Sequence, residues 1–242
     1  MSSILSQKVS VILPTYNHAK YLGESIESIL SQTHRNIELV VVDDGSTDNT
    51  QEVLKSYDDV SNVVRVCLDN NQGKWNALNE GIAASTGEWI TSHDADDISL
   101  KDRIERQLLC LQETQTVHNL CGFFHCFSED DIEKHGSYRP IGTINFMPPD
   151  TVRAAVMTGF HHPHVNHFYT GEFETAGVTS MFHRSMWLLG MRFNPPGLGL
   201  RVMLSEDSDF NFRLTSLLGR TSVLEEKLYL YRRGTSTNKE EF

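Results

Sequence analysis

The sequence has few cysteines and no long apolar stretch, and each shortage excludes a class of protein. Only 4 cysteines occur among 242 residues, too few and too scattered for a disulfide scaffold. Cys121 and Cys126 lack zinc-finger spacing, so we expect reduced thiols in the core. No apolar run approaches the roughly 20 residues of a membrane-spanning helix, and the N-terminus does not resemble a signal peptide. We therefore expect a cytoplasmic protein without a transmembrane segment.

Positive charge is also scarce. The chain carries 21 Lys and Arg residues against 32 Asp and Glu residues, which gives a formal net charge of -11. A nucleic-acid partner would require a basic face, so none is expected. A phosphorylated ligand would have to be bound locally, through a metal ion or a few placed cations.

Apolar runs alternate with helical stripes in the first half of the chain. The runs predict buried strands at residues 9–13, 37–42, 63–68 and 88–92. Helices are predicted over residues 22–30, from about residue 47, over 75–84 and over 99–115. Strand–helix alternation of this kind gives an α/β fold, with a mostly parallel sheet covered by helices on both faces.

The second half of the chain has weaker periodicity. Strands are predicted at residues 121–127, 177–183 and 228–231, and helices at 186–191 and from residue 205 onward. Residues 130–174 follow no regular pattern, so we expect irregular structure there. No composition shift marks a linker, and the length suits one domain with a sizeable core.

Three polar clusters follow predicted strands at their carboxyl ends. They are residues 14–17, 43–46 and 94–97. Ligands of parallel α/β sheets bind beyond the carboxyl ends of the strands. We therefore expect the three clusters to converge at one edge of the sheet and to form a binding site.

The third cluster is acidic, because Asp94, Asp96 and Asp97 place three carboxylates within four residues. Such crowding costs Coulomb energy and raises pKa values unless a cation is present. Oxygen ligands without a nearby cysteine suit Mg²⁺ or Mn²⁺ better than zinc. The alternative is a solvated acidic turn that caps the helix predicted to start near Ser99.

Four motifs, in their order and spacing, resemble the opening of a family 2 glycosyltransferase. They lie at residues 9–17, 28–33, 41–48 and 78–97, and they include Pro-Thr-Tyr-Asn, Val-Asp-Asp-Gly-Ser and Asp-Ala-Asp-Asp. The match covers residues 8–110, and looser matches follow at 181–184, 206–207 and 231–233. The resemblance implies a GT-A fold, which is a Rossmann-like sheet flanked by helices, with an irregular acceptor-side C-terminal half.

The same resemblance implies the activity. We expect transfer of a sugar from a nucleoside diphosphate sugar, with UDP favoured, inversion at the anomeric carbon, and Mn²⁺ or Mg²⁺ as cofactor. The acceptor would be a glycan, a lipid-linked sugar or another glycoconjugate, which could bring the protein to a membrane surface. Within one domain over residues 1–242, the nucleotide-sugar-binding half would lie at about 8–115 and the acceptor-binding half at about 116–242. The Gln-x-x-Arg-Trp motif of processive members is absent, so processive synthesis is not expected.

Donor contacts are assigned by resemblance to the end of the first strand. Thr15 and Tyr16 are expected to bind and stack on a base, with Pro14 and Asn17 beside them. A turn with one exposed aromatic residue is the alternative.

Further donor contacts follow the second and third strands. Asp44 is expected to accept a hydrogen bond from uracil N3–H. Asp43 is either a donor contact or a cap of the next helix. Lys74 falls where the family often carries a cation near the base and diphosphate, but a lysine that merely lies at the surface is an equal alternative.

Metal binding is assigned to the acidic cluster. Asp96 is the expected main ligand, with Asp94 directed toward the ribose or a metal-bound water and Asp97 as the alternative ligand. Ala95 lies between them as a donor contact.

The segment after the last predicted strand departs from the family's usual His- or Gln-rich signature. Arg232 and Arg233, with Thr235 or Ser236, are expected to donate hydrogen bonds to the donor phosphates.

The expected proton acceptor is Asp207, at the start of a predicted helix, with Glu206 beside it on the acceptor side. Asp209 complicates this choice, because acidic residues in a first helical turn also offset the helix dipole. His183 is expected to bind the acceptor sugar, although a buried and fully hydrogen-bonded imidazole would fit nearly as well.

Other functions also remain open. A non-catalytic nucleotide-sugar or glycan-binding module could retain this fold. A sugar-phosphate nucleotidyltransferase would need a Gly-rich basic loop after its first strand, and residues 14–17 do not resemble one. Zinc could bind the histidines at positions 161, 162, 164 and 167, but we favour a loop that faces the acceptor. The oligomeric state is left open.

Overall fold

The computed structural model describes residues 3–136, 144–147, 167–170, 173–195 and 205–235. The helices are α1 Ala19–Leu30, α2 Thr50–Lys55, α3 Lys74–Ala84, α4 Arg103–Thr114, α5 Glu129–Gly136, α6 Ser185–Leu188 and α7 Glu206–Leu218. The strands are β1 Val9–Thr15, β2 Ile37–Asp43, β3 Val63–Cys67, β4 Trp89–Ser92, β5 Ile98–Ser99, β6 His118–Cys126, β7 Ile144–Met147, β8 His167–Thr170, β9 Phe173–Ala176, β10 Met181–His183 and β11 Thr221–Arg232.

These strands form one sheet. Eight of them follow the order β3-β2-β1-β4-β10-β6-β11-β5, while β7 pairs with β11, β9 with β6, and β8 with β9. Strands β1 to β4 are mutually parallel. Because β10 is antiparallel to both β4 and β6, and β11 is parallel to β6, the carboxyl ends of β1, β2, β4 and β11 meet at one edge. We call this the carboxyl edge.

Strand β1 shows why the first-half strands are continuous apolar runs. Its side chains alternate between the two faces of the sheet. Val11 and Leu13 pack into a cluster with residues of α1 and α4, whereas Ile12 packs with residues of α3 and α7. Both faces are therefore covered by helices, as the sequence pattern predicts for a parallel sheet.

The second half differs from several expectations. Residues 177–179 form a 3₁₀ helix, so that only Met181–His183 pairs as a strand, and the last strand is Thr221–Arg232 instead of residues 228–231. The expected irregular segment 130–174 contains most of α5 and the strands β7 and β8, and β9 starts within it. The helix predicted over 99–115 begins at Arg103, after the short strand β5.

The four cysteines are free thiols, and Cys121 and Cys126 are buried as expected. Within the described ranges, none of the helices has the length and apolar character needed to cross a bilayer. Histidines 161, 162 and 164 lie outside the described residues, as does Ser236, and for position 167 only the strand is described.

Candidate functional site

The acidic segment 94–97 follows β4 and lies at the carboxyl edge, but its three carboxylates face different partners. Asp97 is 1% exposed and accepts a hydrogen bond from the backbone N–H of Arg232 at 2.8 Å. Burial, and then the nearby Asp96 and Asp94, raise the pKa of Asp97 well above its usual range. Asp97 thus holds β4 to the end of β11, while Asp94 and Asp96 remain more accessible.

Two residues support this segment. The sequence analysis expected Thr235 at the donor phosphates but did not single out Tyr229. Tyr229, buried in β11, accepts a hydrogen bond from the backbone N–H of Asp94 at 3.0 Å. The hydroxyl of Thr235 donates to Asp96 Oδ2. Neither contact has a local sequence signal, because each joins residues far apart in the chain.

His18 is a second residue that the sequence analysis missed. Its Nε2 lies 3.8 Å from Asp96 Oδ2, and both ring nitrogens are buried without a hydrogen-bond partner among the residues described. Its position directly after Pro-Thr-Tyr-Asn, at a strand end, is the signal that could have identified it.

Lys74 joins the acidic segment to α7. Its Nζ lies 2.8 Å from Asp94 Oδ1, 2.8 Å from Asp207 Oδ2 and 3.5 Å from Glu206 Oε1. Burial opposes the charge on Lys74, but the three carboxylates raise its pKa well above the usual value. Asp94, Glu206 and Asp207, which sequence reasoning assigns separately, are therefore brought together around one cation.

Asp207 lies in the first turn of α7, where the Ser205 side chain caps the helix by accepting the backbone N–H of Ser208. It is 5% exposed. Burial raises the pKa of Asp207 to about 7, against the opposing effect of Lys74, and Glu206 adds to the rise. Its Oδ1 is buried and accepts no hydrogen bond from any described residue.

A buried network fixes the backbone at Asp207. Asn211 Nδ2 donates to the carbonyl of Asp207 at 2.8 Å and to that of Gly177 at 3.1 Å. A Cβ on Gly177 would lie 2.8 Å from Asp207 Cβ, so glycine permits the close approach. His118 Nε2 pairs with Asn211 Oδ1 at 3.0 Å, and burial lowers the pKa of His118 to about 4, which keeps it neutral.

Asp44, an expected donor contact, organises a loop. Its two carboxylate oxygens accept the backbone N–H groups of Gln72 and Gly73, each at 2.8 Å. Asp43 accepts the backbone N–H of Ser46 at 3.0 Å and the side-chain amide of Gln51. Both aspartates are buried. Asp43 shapes the loop that follows β2, and Asp44 shapes the loop between β3 and α3.

The segment after β1 is tied to the one after β2. Asn17 Oδ1 accepts the backbone N–H of Thr47 at 2.8 Å, and the Asn17 backbone has a positive φ of 56°. Thr15 is buried, and its Oγ1 has no hydrogen-bond partner within the described part of the chain. Pro14 is buried in β1, while Tyr16 is half-buried.

The two arginines expected at the phosphates have protein partners in this structure, and their contact with the phosphates stays a prediction. The Arg232 guanidinium donates to Glu24 Oε2 at 2.8 Å and to Glu129 Oε1 at 3.4 Å. Arg233 Nε donates to His125 Nδ1 at 3.0 Å. The structure therefore gives both arginines roles in holding the end of β11.

His183 lies away from the acidic residues. It pairs with Trp89 in the β4–β10 register, at the opposite edge of the sheet, and its ring makes an edge-to-face contact with Trp89 at 5.1 Å. Its Nδ1 is 2.9 Å from Ser185 Oγ. The structure thus does not bring His183 together with Asp207. The ring is half-buried, and a role in binding the acceptor sugar stays a prediction.

The acidic residues suit a hard divalent cation, although they do not form a complete cage. No three His, Cys, Asp or Glu side chains of the described chain are arranged to hold a metal ion. Mg²⁺ in phosphate-handling sites is commonly bound by one or two carboxylates, with substrate phosphates and water as the other ligands. The accessible carboxylates of Asp94 and Asp96 fit that ligand chemistry.

Comparison with known proteins gives two kinds of similarity. The family profile described as "Glycosyl transferase family 2" matches residues 10–188. Glycosyltransferase GlyG of Streptococcus pneumoniae is 41% identical over 128 residues, which cover 52% of this chain and 42% of that protein. The chain spans less than half the length of the curated relatives it matches.

Solved structures share the fold. S. aureus TarS 1-349 in complex with UDP-GlcNAc aligns with a TM-score of 0.68 at 20% identity, over 93% of this chain and 58% of that one. The mannosyltransferase PcManGT from Pyrobaculum calidifontis, in complex with GDP-Man and Mn²⁺, aligns with a TM-score of 0.57 at 21% identity, over 96% of this chain and 58% of that one.

Proposed function

The chain belongs to glycosyl transferase family 2 and has the GT-A fold, and from this premise we propose that it transfers a sugar from a nucleoside diphosphate sugar to an acceptor hydroxyl, with inversion. One observation carries the proposal. A buried carboxylate, Asp207, faces the donor-side Asp94 across Lys74 at the carboxyl edge. Inversion needs a base on the side of the sugar opposite the leaving diphosphate, and this arrangement offers one.

For the donor we propose a UDP-sugar. TarS is solved with UDP-GlcNAc and PcManGT with GDP-Man, so the neighbours support a nucleotide sugar without choosing the base. Asp44 can accept the N3–H of uracil, because each of its oxygens accepts one backbone N–H and has a second lone pair. Tyr16 lies in the adjacent loop and would stack on the base.

Mn²⁺ or Mg²⁺ is the proposed cofactor, held by Asp96 and Asp94. The ion supplies Lewis-acid neutralisation of the charge that develops on the leaving diphosphate. Asp97, which holds the end of β11, would support these residues without binding the ion.

Asp207 is the proposed proton acceptor. A general base works best when its pKa lies near the operating pH, and burial raises the pKa of Asp207 to about 7. The oxygen without a partner among the described residues, Oδ1, would take the proton from the acceptor hydroxyl. We propose a glycan, a lipid-linked sugar or another glycoconjugate as the acceptor.

The test is a panel of UDP-, GDP- and dTDP-sugars with Mn²⁺, read by thermal shift and by release of the nucleotide. A donor at 100 times its Kd should stabilise the protein by about 2.7 kcal/mol. We expect UDP-sugars to stabilise most, EDTA to abolish turnover, and Mn²⁺ or Mg²⁺ to restore it. Turnover unaffected by EDTA would remove the metal from the mechanism, and equal binding of UDP and GDP would remove the uracil assignment.

Asp96→Ala tests the metal ligand. We expect the variant to fold and to lose metal-dependent UDP binding. Asp59→Ala is the matched control, because Asp59 is exposed and is not among the site residues. If Asp96→Ala binds UDP and Mn²⁺ like the control, the ion is held elsewhere.

A further inference from the structure

Lys74 connects two parts of the chain that are far apart in sequence. It is the first residue of α3, and its Nζ donates a 2.8 Å hydrogen bond to Asp207, 133 positions away. The same Nζ lies 2.8 Å from Asp94 Oδ1 and 3.5 Å from Glu206 Oε1. One ammonium group thus lies between the donor side and the acceptor side.

The chemistry of an ammonium group suits this place. Lysine carries three N–H donors and no acceptor, and three carboxylates surround it here. The planar guanidinium of arginine offers its donors in a rigid fork instead. Lys74 is 31% exposed, so a bound donor could still approach it.

We propose that Lys74 is the positioning residue for the proton acceptor: it fixes Asp207 Oδ2 and so directs Oδ1 to the acceptor hydroxyl. By binding Asp94 as well, it sets the spacing between the base and the donor-side carboxylate. This inference rests on the proposed function, because it assumes that Asp207 is the base.

The burial of Asp207 explains why a cation is needed. A carboxylate that is 5% exposed is disfavoured in its charged form unless a neighbouring charge or hydrogen bond stabilises it. Glu206 and Asp94 face the same group and oppose its ionisation, whereas the positive charge of Lys74 favours it. Without Lys74, Asp207 would stay protonated and could not accept a proton from the acceptor hydroxyl.

A double-variant cycle separates this role from a donor contact. Lys74→Met should lower kcat about a hundredfold, the typical effect of a misplaced catalytic group, while the Kd of UDP with Mn²⁺ changes less than threefold. In an Asp207→Asn background, Lys74→Met should have no further effect on kcat, because a residue that acts through another loses its effect when that residue is removed.

If Lys74 contacts the diphosphate instead, Lys74→Met should bind UDP at least tenfold more weakly, and the effects of the two substitutions on kcat should multiply. That result would overturn the inference and leave Asp207 as the proposed base. If Asp207→Asn turns over at the wild-type rate, the proposed base itself fails. Turnover is measured with the sugar nucleotide that the panel selects.

Two further variants complete the test. Lys55→Met is the matched control, since Lys55 is exposed at the end of α2, and it should behave as wild type. Lys74→Ala should regain at least part of its rate in methylammonium chloride, whereas Lys74→Met should not; absence of rescue would contradict the inference. Should Lys74→Met fail to fold, the double variant, which lacks both charges, is compared with Asp207→Asn alone, and a lower rate in the double variant would overturn the inference.

Discussion

Two lysine–carboxylate pairs in this domain have the same separation, but the pKa values of their carboxyl groups are shifted in opposite directions. Lys8 Nζ lies 2.8 Å from Glu38 Oε1, and Lys74 Nζ lies 2.8 Å from Asp207 Oδ2. The pKa of Glu38 is lowered to about 2, whereas that of Asp207 is raised to about 7. Distance to a cation therefore does not decide whether a buried carboxyl group is ionised.

The difference lies in the remaining donors. Burial opposes ionisation of Glu38, but Lys8, Ser10 and the backbone and hydroxyl of Thr86 all donate to it and outweigh that cost. Burial is the largest single effect on the pKa at Asp207 as well, but there Lys74 opposes it, and this cation is shared with Asp94 and Glu206.

The positions of Glu38 and Asp207 in the fold agree with the difference between their pKa values. Glu38 pairs with Ser10 near the start of β1, at the edge of the sheet opposite the candidate site, where a satisfied carboxylate only stabilises the fold. Asp207 lies at the carboxyl edge. A charged group left with incomplete hydrogen bonding reduces stability, and such groups concentrate at functional sites.

The largest expected effect is that of Asp207→Asn on catalysis. Removal of a general base costs about 10²–10⁴ in rate, so kcat should fall by that factor while the Kd of UDP stays unchanged. The melting temperature at pH 7.5 should not fall, because the substitution removes a buried charge and Lys74 keeps its contacts with Asp94 and Glu206. A near wild-type rate would move the base elsewhere, with Glu206 as the first position to examine.

The pH dependence should follow the same group. The base must be deprotonated to act, so kcat/KM should decline as pH falls through about 7, the raised pKa of Asp207. Initial rates between pH 5 and 9, with metal and donor held saturating, measure this. A flat profile down to pH 5 would contradict the assignment.

The substitution Asp44→Ala tests whether a carboxylate that already accepts hydrogen bonds from the protein can also bind the donor. A hydrogen bond to a charged group contributes about 1.5–3 kcal/mol, so Asp44→Ala should weaken UDP roughly ten- to a hundredfold. Calorimetric titration with UDP and Mn²⁺ measures the loss, and a melting curve shows whether the loop at Gln72 and Gly73 still folds. Unchanged affinity in a folded variant would make Asp44 a purely structural residue, like Glu38.

Glu38→Gln should affect stability and leave the site unchanged. The folded pKa of Glu38, about 2, lies below its ordinary value of 4.5, so its contribution is present above pH 4.5 and is lost as pH falls toward 2. We expect a loss of about 1–3 kcal/mol at pH 7 and a smaller loss at pH 3, both from urea unfolding. Equal losses at the two pH values would show that the charge does not matter.

Much of the first half of the fold could be predicted from the sequence, because β1, β2 and β4 are buried along their whole length and are rich in apolar residues. Strand β11 shows why the second half could not. The sequence predicts only residues 228–231, since Glu226 and its charged neighbours are typical of a loop. In the structure Arg106, 120 positions away, pairs with Glu226 at 2.8 Å, and a register irregularity beside it keeps the strand paired with β6.

Sequence reasoning could identify individual residues of the candidate site but not the contacts between them. Residues at strand ends, such as Asp44 and Asp94, follow from strand prediction and topology. The sequence places Lys74 only near the donor, because its contact with Asp207 depends on how α3 and α7 pack on one face of the sheet. Pairings of this kind have no local pattern.

The smallest expected effect is that of Lys8→Met, the counterpart of Lys74→Met. Lys8 is 38% exposed at its side chain, and Glu38 keeps its bonds from Ser10 and Thr86 when the lysine is removed. Exposed ion pairs contribute about 0.2–1 kcal/mol, so stability at pH 7 should fall by roughly that amount, with kcat and UDP affinity unchanged. Urea unfolding of Lys8→Met and Glu38→Gln, alone and combined, measures the share that the lysine carries. A loss of about 3 kcal/mol for Lys8→Met would mean that the cation, and not the Ser and Thr donors, keeps Glu38 ionised, and the contrast with Asp207 would then need another cause.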